Sequence, residues 1–217
     1  MINKSDLDRK INEYTEKMSS AEDQVLSELH RFTYLKVIHP RMLCGPVQGK
    51  LLEFISHMIN PERILEIGTY TGYSAICLAR GLRKNGKLTT IEINEELNET
   101  ALTYIRKAGL DDRIECLTGD ALVILPALKE KFDLIFMDGE KSEYIEYYKL
   151  ALKLMKAGGY IIADNTLWDG KVIENEENYD HVTSAIHAFN LFVRDDPSVD
   201  KVILPMRDGL TILRKLN

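Results

Sequence analysis

The amino-acid sequence predicts a doubly wound α/β protein whose seven-stranded sheet is mostly parallel. Short apolar runs alternate with patterns of helical spacing along most of the chain, which is typical of βαβ units. A glycine-bearing turn follows the first run, as in the ligand-binding corner of such a sheet. Two final apolar runs, at 199–204 and 210–213, are joined through Arg-Asp-Gly, which predicts a C-terminal hairpin with one antiparallel strand.

Length and composition indicate an ordinary globular protein. We expect the 217 residues to form a single domain, with N-terminal helices over 1–60 and the sheet core over 61–217. No apolar run approaches the roughly 18 residues of a membrane span, and the first ten residues lack the apolar core of a signal peptide. A formal charge of −6 without a basic block argues against a nucleic-acid partner. Three widely spaced cysteines suit reduced thiols, so we expect a cytoplasmic protein.

Three helices are predicted before the first strand, over 4–18, 21–37 and 48–59, because apolar residues recur there at helical spacing. Pro40 and Pro46 bracket the loop that leads into the third. The first two helices belong to no βαβ unit. They fit plain packing, a dimer surface or a lid that shields the ligand corner from water, and the sequence leaves these alternatives open.

The remaining elements follow in alternation. Strands are predicted over 63–67, 87–92, 113–117, 132–137 and 160–163, and helices near 72–84, 94–108, 121–130, 142–156 and 178–194. The pair Gly158-Gly159 predicts the end of the helix near 142–156, because glycine is a common helix stop. A loop is expected over 165–177.

The glycine turn after the first strand has the spacing Glu66-x-Gly68-x-x-x-Gly72. Glycine lets the backbone turn tightly and come close to a ligand. The spacing differs from the dinucleotide fingerprint Gly-x-Gly-x-x-Gly, which disfavours a NAD-binding reductase. Glu92 ends the second strand, just beyond the usual distance for an acid that holds ribose hydroxyls. The alternative is a turn without a ligand, and the two flanking glutamates favour a ligand site.

Oxygen-bearing side chains follow two further strands. Asp138 comes after the fourth strand, and Asp164 and Asn165 come after the fifth. Because the carboxyl ends of neighbouring parallel strands meet at one edge, we expect these side chains to lie together. Two carboxylates and an amide suit Mg²⁺ or another hard divalent cation such as Ca²⁺ or Mn²⁺, and not zinc. Each residue alone would more often cap a helix, but the three together favour a metal site.

Two further residues are candidates for chemistry and substrate contact. Lys141 follows Asp138 by three residues, and a partly buried lysine beside a bound cation would have a lowered pKa and could act as general base. A solvated lysine at a helix start is the simpler interpretation. Trp168, the single tryptophan, could stack on an aromatic substrate, or it could serve packing alone.

Several segments in order resemble the cation-dependent class I methyltransferases that use S-adenosylmethionine (SAM), the family of catechol and caffeoyl-CoA O-methyltransferases, bacterial type. They span almost everything from residue 41 on and read R-M-L-C-G-P-V-Q-G, R-I-L-E-I-G-T-Y-T-G-Y-S, T-T-I-E-I-N, F-D-L-I-F-M-D-G-E-K, A-D-N-T-L-W-D-G-K-V and R-D-G-L-T-I. The resemblance implies a Rossmann-like sheet with the predicted hairpin.

The resemblance also implies roles for individual residues. Asp138, Asp164 and Asn165 would bind Mg²⁺, Lys141 would be the base, and Lys141, Asn165 and Trp168 would face the substrate. The residues that would contact SAM are Met42, Glu66, Gly68, Tyr70, Ser74, Glu92, Asp120, Ala121 and Asp138.

The function that the resemblance implies is transfer of a methyl group from SAM to one hydroxyl of a vicinal aromatic diol, such as a caffeoyl compound, by a homodimer. A tRNA hydroxyuridine O-methyltransferase could use the same SAM and metal sites, although the acidic charge argues against it. A SAM-binding scaffold without catalysis is a third possibility. The complete set of Asp138, Asp164, Asn165 and Lys141 argues against that one.

Overall fold

A computed structural model describes residues 4–217 of the chain. Three helices precede the sheet: α1 (Lys4–Met18), α2 (Gln24–Lys36) and α3 (Gly45–Ile59). Asp23 caps α2 by accepting a hydrogen bond from the backbone N–H of Leu26 at 3.0 Å, which satisfies one of the free donors of the first turn. A short 3₁₀ turn, Pro40–Met42, connects α2 to α3.

Strands and helices then alternate to the end of the chain. In order they are β1 (Arg63–Ile67), α4 (Tyr73–Arg80), β2 (Lys87–Glu92), α5 (Glu95–Lys107), β3 (Ile114–Thr118), α6 (Ala121–Ile124), β4 (Phe132–Met137), α7 (Tyr144–Leu154), β5 (Met155–Asp164), α8 (His181–Asp195), β6 (Val199–Leu204) and β7 (Leu210–Lys215). No helix within residues 4–217 is long and apolar enough to cross a membrane.

The seven strands form one sheet in the order β3-β2-β1-β4-β5-β7-β6. The pairs from β3 to β5 are parallel, whereas β7 is antiparallel to both β5 and β6. The predicted Rossmann-like sheet, with its C-terminal hairpin and one antiparallel strand, is therefore confirmed. The strand order reverses between β1 and β4, and this reversal is where open α/β sheets bind their ligands.

Helices cover both faces of the sheet and bury its side chains in two clusters. Ile64 and Phe136 face the cluster that α2, α3, α4 and α5 complete. Leu65 and Ile135 face the other cluster, which α6, α7 and α8 complete. Because successive residues of β1 and β4 alternate between two buried faces, these strands are mostly apolar in the sequence, interrupted only by Glu66 in β1, beside Arg63 at its start, and by Asp133 in β4.

The interpretation of Gly158-Gly159 as a helix stop is wrong. Helix α7 ends at Leu154, and both glycines lie inside β5. The pairing of β5 with β4 shifts register between Phe132 and Leu134, and Gly158 adopts a φ of +75° beside this irregularity. Glycine serves a bulge as readily as a helix end, since both use a positive φ.

Other boundaries differ by a few residues from their predicted positions. Helix α4 ends at Arg80, and α6 is a single turn that continues as a 3₁₀ turn through Leu125–Ala127 because Pro126 cannot donate to a helix. The predicted loop over 165–177 contains two 3₁₀ segments, Trp168–Ile173 and Glu176–Asn178.

Candidate active site

The pairing register brings nearly all candidate residues to one edge of the sheet. Ile67 of β1 lies beside Ile91 of β2 and Met137 of β4, so Gly68, Glu92 and Asp138 follow as neighbours. Ala163 of β5 pairs with Met137, which puts Asp164 next to Asp138. We call residues 66–74 with Glu92 the glycine corner, and Asp138, Lys141, Asp164 and Asn165 the acidic edge.

Gly68 is the point of contact between the glycine corner and the acidic edge. Its φ is +100°, and a β-carbon there would lie well under 3.0 Å from the carbonyl oxygen of Asp138. The backbone N–H of Asp138 also donates to the carbonyl of Ile67 at 2.8 Å. Glycine is required here for two reasons, the left-handed conformation and the close approach of the two chain segments.

Glu66 is fully buried at the base of the glycine corner. The hydroxyl of Thr90 donates to its Oε2 at 2.5 Å, while its Oε1 has no hydrogen-bond partner within residues 4–217. Burial, with the charges of Asp138 and Glu92 nearby, raises the pKa of Glu66 to about 8. A buried acceptor without a donor is costly, so this atom suits a ligand that brings a donor into the corner.

Glu92 organises the outer side of the glycine corner. Its Oε2 accepts from the backbone N–H of Tyr70 at 2.7 Å, and its Oε1 accepts from the N–H of Asn94 at 2.9 Å. Each carboxylate oxygen has a second lone pair available for a ribose hydroxyl. Tyr70 has a φ of 50°, which turns the backbone toward the carboxylate.

Asp138 and Lys141 form an ion pair at the acidic edge. The Nζ of Lys141 donates to Asp138 Oδ1 at 2.6 Å and to the hydroxyl of Tyr144 at 2.8 Å. Burial disfavours the charged amine, but Asp138 and Tyr144 outweigh burial, so the pKa of Lys141 is raised. The prediction of a lowered pKa presupposed a bound cation, and the ion pair with Asp138 acts in the opposite direction.

Asp164 and Asn165 complete the acidic edge. Asp164 is buried, and its Oδ1 accepts from the backbone N–H of Asn165 at 2.8 Å. Burial, together with the charge of Asp138, raises the pKa of Asp164 to about 6. The acidic edge therefore brings two carboxyl groups together with a single lysine amine.

Two residues at this edge escaped the sequence analysis. Gln48 of α3 donates from Nε2 to Asp164 Oδ2 at 2.7 Å, and both side chains are buried. Asp208 of the β6–β7 connection accepts from Asn165 Nδ2 at 3.5 Å. Gln48 interrupts the apolar pattern of α3 and lies in the segment R-M-L-C-G-P-V-Q-G, and these two signals could have indicated it. Asp208 looks like an ordinary turn residue.

The donor set fits a hard divalent cation. Asp138 and Asp164 supply carboxylate oxygens, and Asn165, whose amide nitrogen is directed to Asp208, has its carbonyl oxygen free to bind. Within residues 4–217, no three His, Cys, Asp or Glu side chains are grouped to hold a metal ion. The predicted site therefore relies on the amide oxygen of Asn165 as its third oxygen, beside the two carboxylates.

The remaining predicted SAM residues lie around the glycine corner. Ser74 is buried in the first turn of α4, and Asp120 caps α6 by accepting from the N–H of Leu122 at 2.7 Å. Ala121 is buried as the first residue of α6. Met42 is exposed in the 3₁₀ turn before α3.

Trp168 lies beyond the acidic edge, in the segment after β5. Its φ is 47°, and its backbone N–H donates to the carbonyl of Asp208 at 3.1 Å. The ring packs partly against the buried cluster under α7 and α8. A packing contribution is therefore present, and stacking on a substrate stays a prediction.

The segment that carries Met42 is held from two sides. The hydroxyl of Tyr70 donates to the carbonyl of Ile38 at 3.1 Å. Arg207, in the β6–β7 connection, donates from Nη1 to the carbonyl of Leu43 at 2.9 Å. These contacts fasten the N-terminal segment over the sheet edge between the glycine corner and the hairpin.

The reversed strand order, the glycine corner and the acidic edge together define an α/β enzyme that binds a nucleoside-containing cosubstrate beside a polar reaction site. A family model described as O-methyltransferase matches residues 16–216. A catechol O-methyltransferase of Niastella koreensis is 39% identical over 171 residues, which cover 77% of each chain. Caffeoyl-CoA O-methyltransferase 1 of Eucalyptus globulus is 34% identical over 208 residues, which cover 90% of this chain and 83% of that protein.

The comparison with solved structures also matches an O-methyltransferase. The O-methyltransferase TomG of Streptomyces achromogenes, in complex with SAM, matches with a TM-score of 0.89 and 30% identity, covering 96% of each chain. The chain belongs to the O-methyltransferase family of the caffeoyl-CoA and catechol O-methyltransferase type. It is a SAM-dependent O-methyltransferase.

Proposed function

We propose that this enzyme is a cation-dependent O-methyltransferase that acts on one hydroxyl of a vicinal aromatic diol. The observation that carries the proposal is the acidic edge, where Asp138, Asp164 and Asn165 meet beside the glycine corner with Lys141 in contact. Two relatives are named for catechol and caffeoyl-CoA, and both names denote acceptors with adjacent phenolic hydroxyls.

Asp138, Asp164 and Asn165 are proposed to hold a divalent cation, with Mg²⁺ as the first candidate and Ca²⁺ or Mn²⁺ as alternatives. When bound there, such a cation would act as a Lewis acid and would lower the pKa of a nearby substrate hydroxyl. The presence of two carboxylates beside a single lysine amine supports cation binding at this place. Burial, followed by the charge of Asp138, raises the pKa of Asp164.

Lys141 is proposed to take the proton from the reacting hydroxyl. Burial by itself favours the neutral amine, and Asp138 together with Tyr144 holds the proton on it. Engagement of Asp138 by another positive charge therefore makes Lys141 available as a base. Tyr144 fixes the amine, because its hydroxyl accepts from Lys141 and lies 3.0 Å from the carbonyl of Asp164.

The glycine corner is proposed to position the methyl donor. Glu66 and Ser74 would face the amino acid half of SAM, and Glu92 would accept from the ribose hydroxyls. Met42, Gly68, Tyr70, Asp120, Ala121 and Asp138 are the other proposed contacts. Asn165 and Trp168 are proposed to orient the acceptor, so that the protein contributes mainly position and electrostatics to an in-line transfer.

Methyl transfer from labelled SAM to caffeic acid and simple catechols, with Mg²⁺ and with EDTA, tests this function. We expect methylation of one hydroxyl that EDTA abolishes and added Mg²⁺ restores. Transfer that persists in EDTA would remove the cation from the mechanism. Transfer to tRNA in place of the diols would favour the hydroxyuridine alternative, for which no contact in residues 4–217 gives specific support.

A homodimer is proposed as the working assembly. Supporting it, the apolar face of α1 lies exposed along Leu7, Ile11, Tyr14 and Met18. An uncovered apolar stripe of this kind is typical of an interface. Light scattering of the native protein should give twice the chain mass of 24.8 kDa. Ile11→Glu should lower the measured mass toward that of one chain. A monomeric native protein would refute the proposed dimer.

A further inference from the structure

Gln48 makes a buried contact with the acidic edge from outside the βα units. It lies in α3, which precedes β1, and its Nε2 donates to Asp164 Oδ2 at 2.7 Å across a sequence separation of 116 residues. Gln48 is 1% exposed and Asp164 is 4% exposed. A side-chain hydrogen bond to a buried carboxylate is shielded from water, so it holds its geometry strongly.

The contact completes a pair of donors that fix the Asp164 carboxylate. The backbone N–H of Asn165 holds Oδ1, and Gln48 holds Oδ2. With one donor on each oxygen, rotation of the carboxylate about its Cβ–Cγ bond is blocked. The directions of the remaining lone pairs on the two Asp164 oxygens are therefore set by the hydrogen bonds from Asn165 and Gln48.

We propose that Gln48 is a positioning residue that orients Asp164 for cation binding, an inference that rests on the proposed cation-dependent function. Groups that hydrogen-bond to metal-binding side chains set their orientation and typically change metal affinity about 10–100-fold when removed. Helix α3 is then part of the reaction site and not only packing beneath it.

The two carboxylates of the acidic edge have different kinds of partner. Asp138 is paired with the charged amine of Lys141, which also competes with a cation for that carboxylate. Asp164 is paired with a neutral amide, which stabilises the ionised carboxylate and brings no positive charge to repel a cation. The Asp164 carboxylate is therefore already oriented for a cation, and Gln48 is the residue that maintains this orientation.

Direct titration of Mn²⁺ and Mg²⁺ into the SAM-bound full-length protein, followed by calorimetry, tests the inference without relying on turnover. Gln48→Met keeps the length of the side chain and removes the donor. Gln48→Asn keeps the amide but is one methylene too short to reach Asp164. The matched control is Ser56→Ala, which removes another buried hydrogen bond of α3, from Ser56 Oγ to the carbonyl of Leu78 at 2.6 Å, away from the acidic edge.

We expect both Gln48 variants to bind the cations about 10–100-fold more weakly while their SAM affinity stays within twofold of the native value. Ser56→Ala should lose stability and keep the native cation affinity. If the Gln48 variants lose only stability and keep their cation affinity, the positioning role is wrong and the proposed function stands. If the native protein binds neither Mg²⁺ nor Mn²⁺, and a parallel titration with Ca²⁺ shows no binding either, both the function and this inference fall.

Discussion

The glycine corner and the acidic edge are neighbours, but they are assembled in different ways. In the glycine corner, Glu66 and Glu92 receive hydrogen bonds from Thr90 and Tyr70, which lie 24 and 22 residues away along the chain. At the acidic edge, Asp164 is held by Gln48 from a distance of 116 residues. One site comes from a single βαβ unit, and the other joins the N-terminal helices, the sheet and the C-terminal hairpin.

This difference assigns separate tasks to the two regions. A site built within one βαβ unit keeps its geometry whenever β1 and β2 pair, so the proposed donor contacts of the glycine corner depend mainly on local structure. A site built from remote segments depends on the docking of α3 and of the β6–β7 connection, where Arg207 also fastens the segment near Leu43. We therefore expect changes in those segments to affect the acidic edge more than the glycine corner.

Lys141→Ala should produce the largest effect and confine it to the acidic edge. We expect kcat to fall about 10²–10⁴-fold, because the proposed base is removed, while the dissociation constant of SAM stays within threefold. Steady-state methylation at saturating substrates and calorimetric SAM titration measure the two quantities separately. A comparable loss of SAM affinity would show that the two regions are not independent.

Lys141→Arg distinguishes a base from a charge partner. Arginine keeps a positive charge next to Asp138, but its pKa above about 12 prevents it from accepting a proton. We expect turnover as low as in Lys141→Ala. Retention of most of the native turnover would mean that Lys141 serves only to neutralise Asp138.

Gly68→Ala should damage both regions at once, because it changes their point of contact. The left-handed backbone costs about 1–2 kcal/mol for alanine, and the new β-carbon would also meet the carbonyl of Asp138. We expect at least a tenfold loss of SAM affinity and a fall in the free energy of unfolding of more than about 2 kcal/mol. Calorimetry and urea unfolding measure these changes.

Gly109→Ala is the matched control for that substitution. Its φ is +67°, and a β-carbon there would meet no atom within 4 Å, so only the backbone strain applies. The expected cost is about 1 kcal/mol with unchanged SAM affinity. Equal effects of the two substitutions would contradict the importance of the close approach at Gly68.

The contrast between the locally built glycine corner and the acidic edge, which joins remote segments, also explains which features could be predicted from the sequence. The glycine spacing, the acid at the end of β2 and the polar residues after β4 and β5 are local features of apolar runs and their ends, and the structure aligns them through the strand register. The strands themselves lie within a residue or two of their predicted bounds, except for β5. A buried parallel strand is a short, mainly apolar run, so its position can be predicted without tertiary information.

The contacts that hold the side chains of the acidic edge could not be predicted from the sequence. The role of Gln48 depends on how α3 docks against the sheet, and that of Asp208 depends on the antiparallel pairing that puts Leu210 beside Asp164. The prediction of a helix end at Gly158-Gly159 was wrong for a related reason. A positive φ can end a helix or bend a strand equally well, and only the pairing with β4 decides between them. Side-chain partners from remote segments follow from the fold and not from local spacing.

Glu66→Gln should give the smallest effect, a change in how stability depends on pH. The pKa of Glu66 is raised to about 8 in the folded protein, against an ordinary value of 4.5, so the folded state binds the proton more tightly than the unfolded state. The contribution of Glu66 is therefore fully present below about pH 4.5 and is lost as the pH rises to about 8. Within that range each pH unit removes at most about 1.4 kcal/mol.

Glutamine cannot titrate, so the stability of Glu66→Gln should fall less between pH 6 and pH 7 than that of the native protein, with a difference in Tm of about 2–4 °C. Thermal unfolding of the SAM-free proteins at both pH values measures it. Glu115→Gln, which removes an exposed carboxylate from β3, controls for the change in net charge and should keep the native pH slope. Identical slopes for all three proteins would mean that Glu66 is ionised in the folded state, and the glycine corner would then carry a buried negative charge before SAM binds.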